Sequence, residues 1–119
     1  MDPAQPDKQA LEAIYGNLPW CFLGSGHAHD AHHIFGRGNE FGAKKNSPNR
    51  VLFSSVYNIA MLGRTPHDLC PIKNDKNMRL ALFKHAKRMV DNAVLKGHYV
   101  VTQIDREFLV FMELQLEGA

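Results

Sequence analysis

The sequence predicts a single small α+β domain, with short strands in the first half of the chain and long helices in the second. A chain of 119 residues has room for one hydrophobic core. Before residue 58, short β-rich stretches alternate with glycine and proline, whereas from residue 74 the apolar residues recur at helical spacing. Hydrophobic content of 45% and charged content of 22% are ordinary for a globular protein.

The N-terminal part, residues 1–19, is expected to be an arm followed by a short helix. Residues 1–6 contain two prolines and no apolar pattern, which indicates a loose arm. Asp7 is a suitable N-cap for a helix that would run to Tyr15, where Gly16 would end it.

The middle part, residues 20–71, is expected to begin with a short strand from Ala28 to Ile34. The period of a strand would place Asp30 and His32 on one face and His33 on the other. The two adjacent histidines can therefore meet at one site only where the strand ends or bulges.

A loop and a second strand are expected to follow. Residues 36–50 are rich in glycine, asparagine and proline, which favours a loop. This loop carries a cluster of basic residues: Arg37, Lys44, Lys45 and Arg50. A phosphate-binding loop and a solvated connection are about equally good interpretations of this cluster. The stretch 51–57 is rich in β-branched and aromatic residues and predicts a strand or a buried extended segment.

The C-terminal part, residues 72–119, is expected to be helical. An apolar face recurs from a cap at Asn74 or Asp75 to Gly97. We expect the basic side chains of this helix to form a solvated face rather than a DNA-docking one. A final helix, capped by Thr102 or Asp105, would bury Phe108, Leu109, Phe111, Met112, Leu114 and Leu116.

Charge and cysteine content limit the partners and the compartment. A net charge of +2 permits a nucleic-acid partner without requiring one. No apolar run is long enough to span a bilayer and the N-terminus lacks a signal pattern, so a cytoplasmic protein without membrane contact is expected. Cys21 and Cys70 are too few for a disulfide scaffold and would stay reduced there.

Histidines are concentrated just before the basic loop. Four of the seven, His27, His29, His32 and His33, fall within seven residues. Imidazole accepts protons near neutral pH and is a common metal ligand, so the cluster predicts a catalytic or metal site. A histidine-rich surface loop is the alternative interpretation.

Residues 20–71 resemble the HNH, or ββα-metal, endonuclease family. The resemblance rests on His32-His33-Ile34, on the following Gly36-Arg37-Gly38, and on Asn58 followed after eight residues by His67. It covers less than half of the chain, and each motif is short. The family core is a strand ending in the histidine pair, a second strand next to the asparagine, and a helix that carries the last histidine.

The resemblance implies a metal-dependent DNA endonuclease that hydrolyses phosphodiester bonds. By it, His33 would be the general base, and His32 and His67 would hold a divalent metal with help from Asp30. Asn58 would orient either His33 or the loop backbone. Mg²⁺ is the first expectation for the metal, with Mn²⁺, Ni²⁺ and Zn²⁺ as alternatives. Some small phage-encoded relatives act on structured DNA, and cleavage of both strands would require a homodimer or two encounters.

The chain departs from the family at its zinc knuckles. Many members bind a structural zinc through two Cys-x-x-Cys pairs, but the partner of Cys21 would be Gly24, and the later pair would fall at Gly63 and Pro66. One thiolate cannot build a tetrahedral cysteine site. We therefore expect a core without structural metal, closed by Trp20, Phe22 and the C-terminal helices. A site built from Cys21, Cys70 and either His27 or His29 is the alternative.

A second departure concerns the catalytic metal. Some relatives place another histidine four residues after the last one, and here Pro71 occupies that position. Asp30, Asp68 or water would then complete the ligand set, because a catalytic cation tolerates few protein ligands.

Two rival functions remain open at this point. The first is a non-catalytic nucleic-acid-binding module with a decayed HNH core, which the lost knuckles favour. The second is an unrelated histidine-based metal-binding domain. If plasmid nicking disappears in His33→Ala while DNA binding persists, the protein is a nuclease rather than a binding module. Metal binding without DNA affinity would favour the unrelated metal-binding domain.

Overall fold

The computed structural model describes residues 2–16, 30–62 and 76–117. These ranges have an α+β fold, as the sequence predicts, in which an antiparallel pair of strands is packed by helices. The regular elements in them are α1 (Lys8–Tyr15), β1 (Asp30–His33), β2 (Ile59–Leu62), α2 (Lys76–Leu95) and α3 (Gln103–Glu117). Within these ranges, no helix combines the length and apolar character needed to cross a bilayer.

Helix α1 begins and ends where its sequence predicts. The Asp7 side chain accepts a hydrogen bond from the backbone of Gln9 at the N-cap, and Gly16 closes the last turn. The helix buries an apolar face against α2. Tyr15, in its last turn, donates a hydrogen bond to the carbonyl of Ile59 at 3.0 Å and so connects α1 to β2.

The strands β1 and β2 form the antiparallel pair. Their register places His32 opposite Ala60 and His33 opposite Ile59. Ala60 and Ile59 are fully buried, because the α2 helix packs on β2. The sheet is therefore a small platform that ends, on the β1 side, at His33.

The predicted strand over residues 51–57 is wrong. The chain forms two 3₁₀ segments there, Pro48–Ser54 and Val56–Asn58, and the second strand starts afterwards at Ile59. The hydroxyl of Ser55 accepts a hydrogen bond from the backbone of Tyr57, which stabilises a local turn in competition with a sheet ladder. The β-branched and aromatic content here reflects burial between helices rather than strand pairing.

The helices α2 and α3 close the core, as expected for the two C-terminal helices. α2 ends in a Schellman motif, in which the N–H groups of Gly97 and His98 bond back to the carbonyls of Val94 and Ala93. α3 starts with reciprocal hydrogen bonds between Thr102 and Asp105, a capping box that joins the two cap candidates of the sequence.

The centre of the core is aromatic. Phe53, fully buried, stacks on Phe41 with ring centroids 5.8 Å apart and meets Phe108 and Phe111 edge-on. Of the residues predicted to be core on α3, Leu114 has 64% of its surface exposed, and the side chain of Leu116 lies outside the described part of the chain. Leu114 lines an open surface pocket together with Val51 and Leu52 of the first 3₁₀ segment, so the prediction that it is buried is wrong.

Several predictions fall on residues outside the described ranges. They are the metal ligand His67, the cap at Asn74 or Asp75, the packing of Trp20 and Phe22, the zinc alternative at Cys21 and Cys70 with His27 or His29, and the contribution of Asp68.

Candidate functional site

The site is built at the turn that follows β1. After His33 the chain leaves the sheet, and the N–H of Ile34 donates to the carbonyl of Asn58 at 2.7 Å. The end of β1 and the turn after it are thereby attached to the residue that immediately precedes β2. The two sequence motifs around His33 and Asn58, distant in the chain, meet at this point.

The Asn58 side chain holds the turn together. It is fully buried, and its Oδ1 accepts from the N–H of Phe35 at 3.0 Å. Its Nδ2 donates to the carbonyls of Gly36 and Phe53, at 3.0 and 2.9 Å. Asn58 was expected to orient either His33 or the loop backbone, and its hydrogen bonds are with the loop backbone. They hold the turn that follows His33.

A glycine is required inside this turn. Gly38 has φ of 101°, in the left-handed region that disfavours other residues. A Cβ there would also lie 2.7 Å from the Cβ of Ala43 and 2.7 Å from the ring of Phe53. The Gly36-Arg37-Gly38 motif therefore has a packing reason, because the loop backbone passes directly over the aromatic core.

Both histidines of the pair line one cleft of about 500 Å³. Its walls come from the end of β1, the following turn, the N-terminal arm and the start of α2: Gln5, Pro6, Ala31, His32, His33, Ile34, Gly36, Arg37, Glu40 and Arg79. The strand period alone would separate the two imidazoles. They share the cleft because β1 ends at His33.

His33 is half-buried and hydrogen-bonded. Its Nε2 lies 2.9 Å from the carbonyl oxygen of Ala4. Burial, chiefly, lowers the pKa of His33, with smaller contributions from the guanidinium groups of Arg37 and Arg50, while the Ala4 carbonyl and Asp2 act in the opposite direction. The imidazole is consequently neutral at neutral pH, which is the protonation state that a base requires.

His32 is 96% buried beneath the cleft, and its Nε2 is inaccessible to water. Asp30 lies two residues earlier in β1, so the strand directs both side chains to one face. An imidazole and a carboxylate are donors that a divalent cation accepts, and they fit part of a ligand set. No group of three potential ligands converges within residues 2–16, 30–62 and 76–117, and His67 lies outside them.

The basic residues predicted to contact DNA separate into three environments. Arg37 lines the cleft and has 52% of its side chain exposed. Lys44 and Lys45 are exposed on the loop but do not line the cleft. Arg50 is 5% exposed, and its guanidinium is engaged by Asp2, Asn39 and the carbonyl of Ala43.

The expectation that Arg50 contacts phosphate is therefore corrected, because its hydrogen-bonding groups are directed into the protein. Its charge is compensated by Asp2, whose pKa is held well below the usual range by the Arg50 guanidinium. Arg50 stabilises the loop instead of extending from it.

Sequence reasoning missed four residues of this site. Asp2 and Ala4 come from an arm predicted to be loose, and Arg79 and Glu40 pair across the cleft, with both guanidinium nitrogens within 2.9 Å of the carboxylate. The spacing of 39 residues between Glu40 and Arg79 leaves no sequence signal for their pairing. The sequence around Asp2, with Pro3 and Pro6 nearby, likewise has no local pattern that indicates a partner for its carboxylate.

Comparisons with known proteins found no match among family models, curated proteins or solved structures.

Proposed function

We propose that this protein is a metal-dependent DNA endonuclease of the HNH type, with His33 as the general base. One observation carries the proposal: the His32-His33 pair lines a single cleft at the end of β1, and Asn58, immediately before β2, binds the turn that follows. It supports the proposal because two elements of the HNH resemblance, the histidine pair and Asn58, lie at the same turn.

His33 is suited to deprotonate a water molecule. Its acceptor partner, the carbonyl of Ala4, binds Nε2, so in the neutral ring the lone pair is at Nδ1. In hydrolysis, this nitrogen takes the proton as the water oxygen bonds to phosphorus. The bond from phosphorus to the leaving oxygen then breaks, and that oxygen takes a proton from solvent.

Arg37 and Arg79 are the cationic groups at the cleft. Arg37 is half-exposed and forms an ion pair with Asp2 at 3.5 Å, and Arg79 is paired with Glu40, whose side chain is 55% exposed. A DNA phosphate, like the Glu40 carboxylate, presents two anionic acceptor oxygens that a guanidinium can bind at both nitrogens, so it can replace Glu40 on Arg79. The two arginines would hold the phosphate that faces His33.

His32, with Asp30 and with His67 from beyond the described ranges, would hold the divalent cation. When bound, the cation supplies positive charge to the transition state, in which negative charge develops on the phosphate and the leaving oxygen. His32, deeply buried, would be fixed in orientation by its packing.

The decisive experiment measures nicking of supercoiled plasmid with Mg²⁺, Mn²⁺, Ni²⁺ or Zn²⁺ and with a chelator. His33→Ala should reduce the rate by about 10²–10⁴-fold, the usual contribution of a general base. DNA affinity, measured by fluorescence anisotropy, should change little, because His33 contacts no phosphate. His98→Ala, at an exposed histidine, is the matched control.

The outcomes separate the alternatives. His67→Ala should lose activity together with metal affinity, and excess metal should restore part of it. DNA binding without nicking under any metal would replace the proposal with the non-catalytic binding module. Wild-type nicking by His33→Ala would make His33 a structural residue.

A matched pair of variants tests the phosphate contact. Arg79→Gln should weaken DNA binding and reduce the salt dependence by about one ion, whereas Glu40→Gln should strengthen binding by releasing Arg79. Lys84→Gln removes an exposed charge elsewhere on α2 and serves as the control. Equal affinities for all three variants would remove Arg79 from the DNA interface.

A further inference from the structure

The N-terminal arm, residues 2–6, is attached to the site by a charged contact. Both carboxylate oxygens of Asp2 meet the Arg50 guanidinium, at 2.9 Å from Nε and 2.6 Å from the terminal nitrogen. Arg50 is itself held by Asn39 and by the carbonyl of Ala43. A two-point contact with a buried, immobilised arginine fixes both the position and the orientation of the Asp2 carboxylate.

The arm passes this constraint on to His33. Oδ1 of Asp2 also accepts from the N–H of Ala4 at 2.9 Å, and the arm turns through a hydrogen bond from Gln5 to the carbonyl of Asp2. Ala4 is fully buried. Its carbonyl, directed at the ring, lies 2.9 Å from Nε2 of His33.

This hydrogen bond determines the tautomer of His33. A carbonyl oxygen only accepts, so the proton of the neutral ring must be on Nε2, and Nδ1 carries the lone pair. A ring released from the arm would exchange between both tautomers and rotate about its χ2 angle. The proton acceptor would then be misplaced for a large share of the time.

We propose that Asp2 is a positioning residue for His33: anchored on Arg50, it holds the Ala4 carbonyl against Nε2 and so keeps Nδ1 as the proton acceptor. This inference rests on the proposed function for its catalytic consequence, but the hydrogen bond itself is measurable without activity. The side chain of Asp2 does not hydrogen-bond to the ring, so its action on His33 is indirect. It also forms an ion pair with Arg37 at 3.5 Å, the loss of which should affect KM rather than the His33 tautomer.

The direct test is NMR spectroscopy of the full chain labelled with ¹⁵N at histidine. In the wild-type protein, the His33 Nε2–H signal should be visible because the hydrogen bond slows its exchange with water, and Nδ1 should have the shift of an unprotonated nitrogen. Asp2→Ala should lose the protected Nε2–H signal. Glu12→Gln, which removes an exposed carboxylate from the neighbouring helix, should retain it.

The kinetic test separates positioning from a structural role. Asp2→Ala should lower kcat for plasmid nicking by about 10- to 100-fold, the range expected for a misplaced catalytic group. KM should stay the same or fall, because the arginines near the cleft lose a competing carboxylate. Asp2→Asn keeps an acceptor for the Ala4 N–H and should fall between Asp2→Ala and the wild type in both measurements.

Each result has one meaning. A protected Nε2–H signal that persists in Asp2→Ala would overturn the inference, as would a wild-type protein whose proton is on Nδ1. Equal losses in kcat and in DNA affinity would also overturn it, since they indicate general damage. If the wild-type protein has the signal, Asp2→Ala loses it and neither cleaves DNA, the positioning stands and the nuclease proposal fails.

Discussion

The side-chain amide of Asn58 allows the clearest quantitative prediction. Asn58→Ala would leave three backbone groups without their partners: the N–H of Phe35 and the carbonyls of Gly36 and Phe53. The contacts with Phe35 and Phe53 are wholly buried, and the one with Gly36 is partly buried. An unpaired buried group costs about 1–3 kcal/mol, and water can reach the partly buried one, so the expected loss is about 3–5 kcal/mol.

Urea unfolding followed by circular dichroism measures this loss. The midpoint should fall without a change in slope, and the melting temperature should fall by about 10–20 °C for a domain of this size. Asn46→Ala, at an exposed position of the same loop, is the control and should change stability by less than about 0.5 kcal/mol. A loss of less than about 1 kcal/mol in the free energy of unfolding of Asn58→Ala would refute the reasoning, because three unsatisfied backbone groups should cost more than that.

Asn58→Asp tests the polarity of the same contacts. The new carboxylate would keep its acceptor for the N–H of Phe35 but would face the carbonyls of Gly36 and Phe53, to which only a protonated acid can donate. The pKa of this acid would therefore be raised in the folded state, and stability is lost as pH rises through that pKa. The deficit relative to the wild type should be larger at about pH 8 than at about pH 4.5, and a deficit independent of pH would contradict the assignment.

Three further predictions concern stability. Burial lowers the pKa of His33 and of His85 below their usual value of 6.5, so near and below that pH the unfolded state binds more protons than the folded state. The free energy of unfolding should therefore fall as pH drops below 6.5. The accompanying fall in urea midpoint should be smaller in His85→Gln, which lacks one of the two groups. Gly38→Ala should cost about 2–4 kcal/mol from strain and overlap, whereas Gly42→Ala, where a Cβ meets open space, should cost less by thermal melting. Asp105→Ala removes the α3 cap and the partner of a buried serine, and should cost about 3 kcal/mol in the same assay.

Much of the helical framework was predictable because its signals are local. The caps at Asp7 and Thr102 and the end of α2 at Gly97 involve residues a few positions apart in the chain. The first strand was predictable for the same reason. The resemblance to the HNH family brought Asn58 to attention and gave His33 its role, although it did not say which atoms Asn58 binds.

The second strand shows where local reasoning failed. Residues 51–57 have the composition of a strand, yet their apolar side chains are buried between helices in 3₁₀ turns. Composition indicates that a segment is buried and does not determine the backbone that buries it. Which segment pairs with β1 was decided by packing against α2, a contact between distant parts of the chain.

The site divides in the same way. By itself, the sequence determined which groups are available: a histidine pair, an asparagine and a glycine-rich basic loop. Only the tertiary structure decided that Arg50 points inward to Asp2, that the arm's Ala4 carbonyl meets His33, and that Arg79 reaches Glu40. The physical reason is that these contacts join residues 29 to 48 positions apart, where chain connectivity imposes almost no constraint and burial and charge complementarity select the partner.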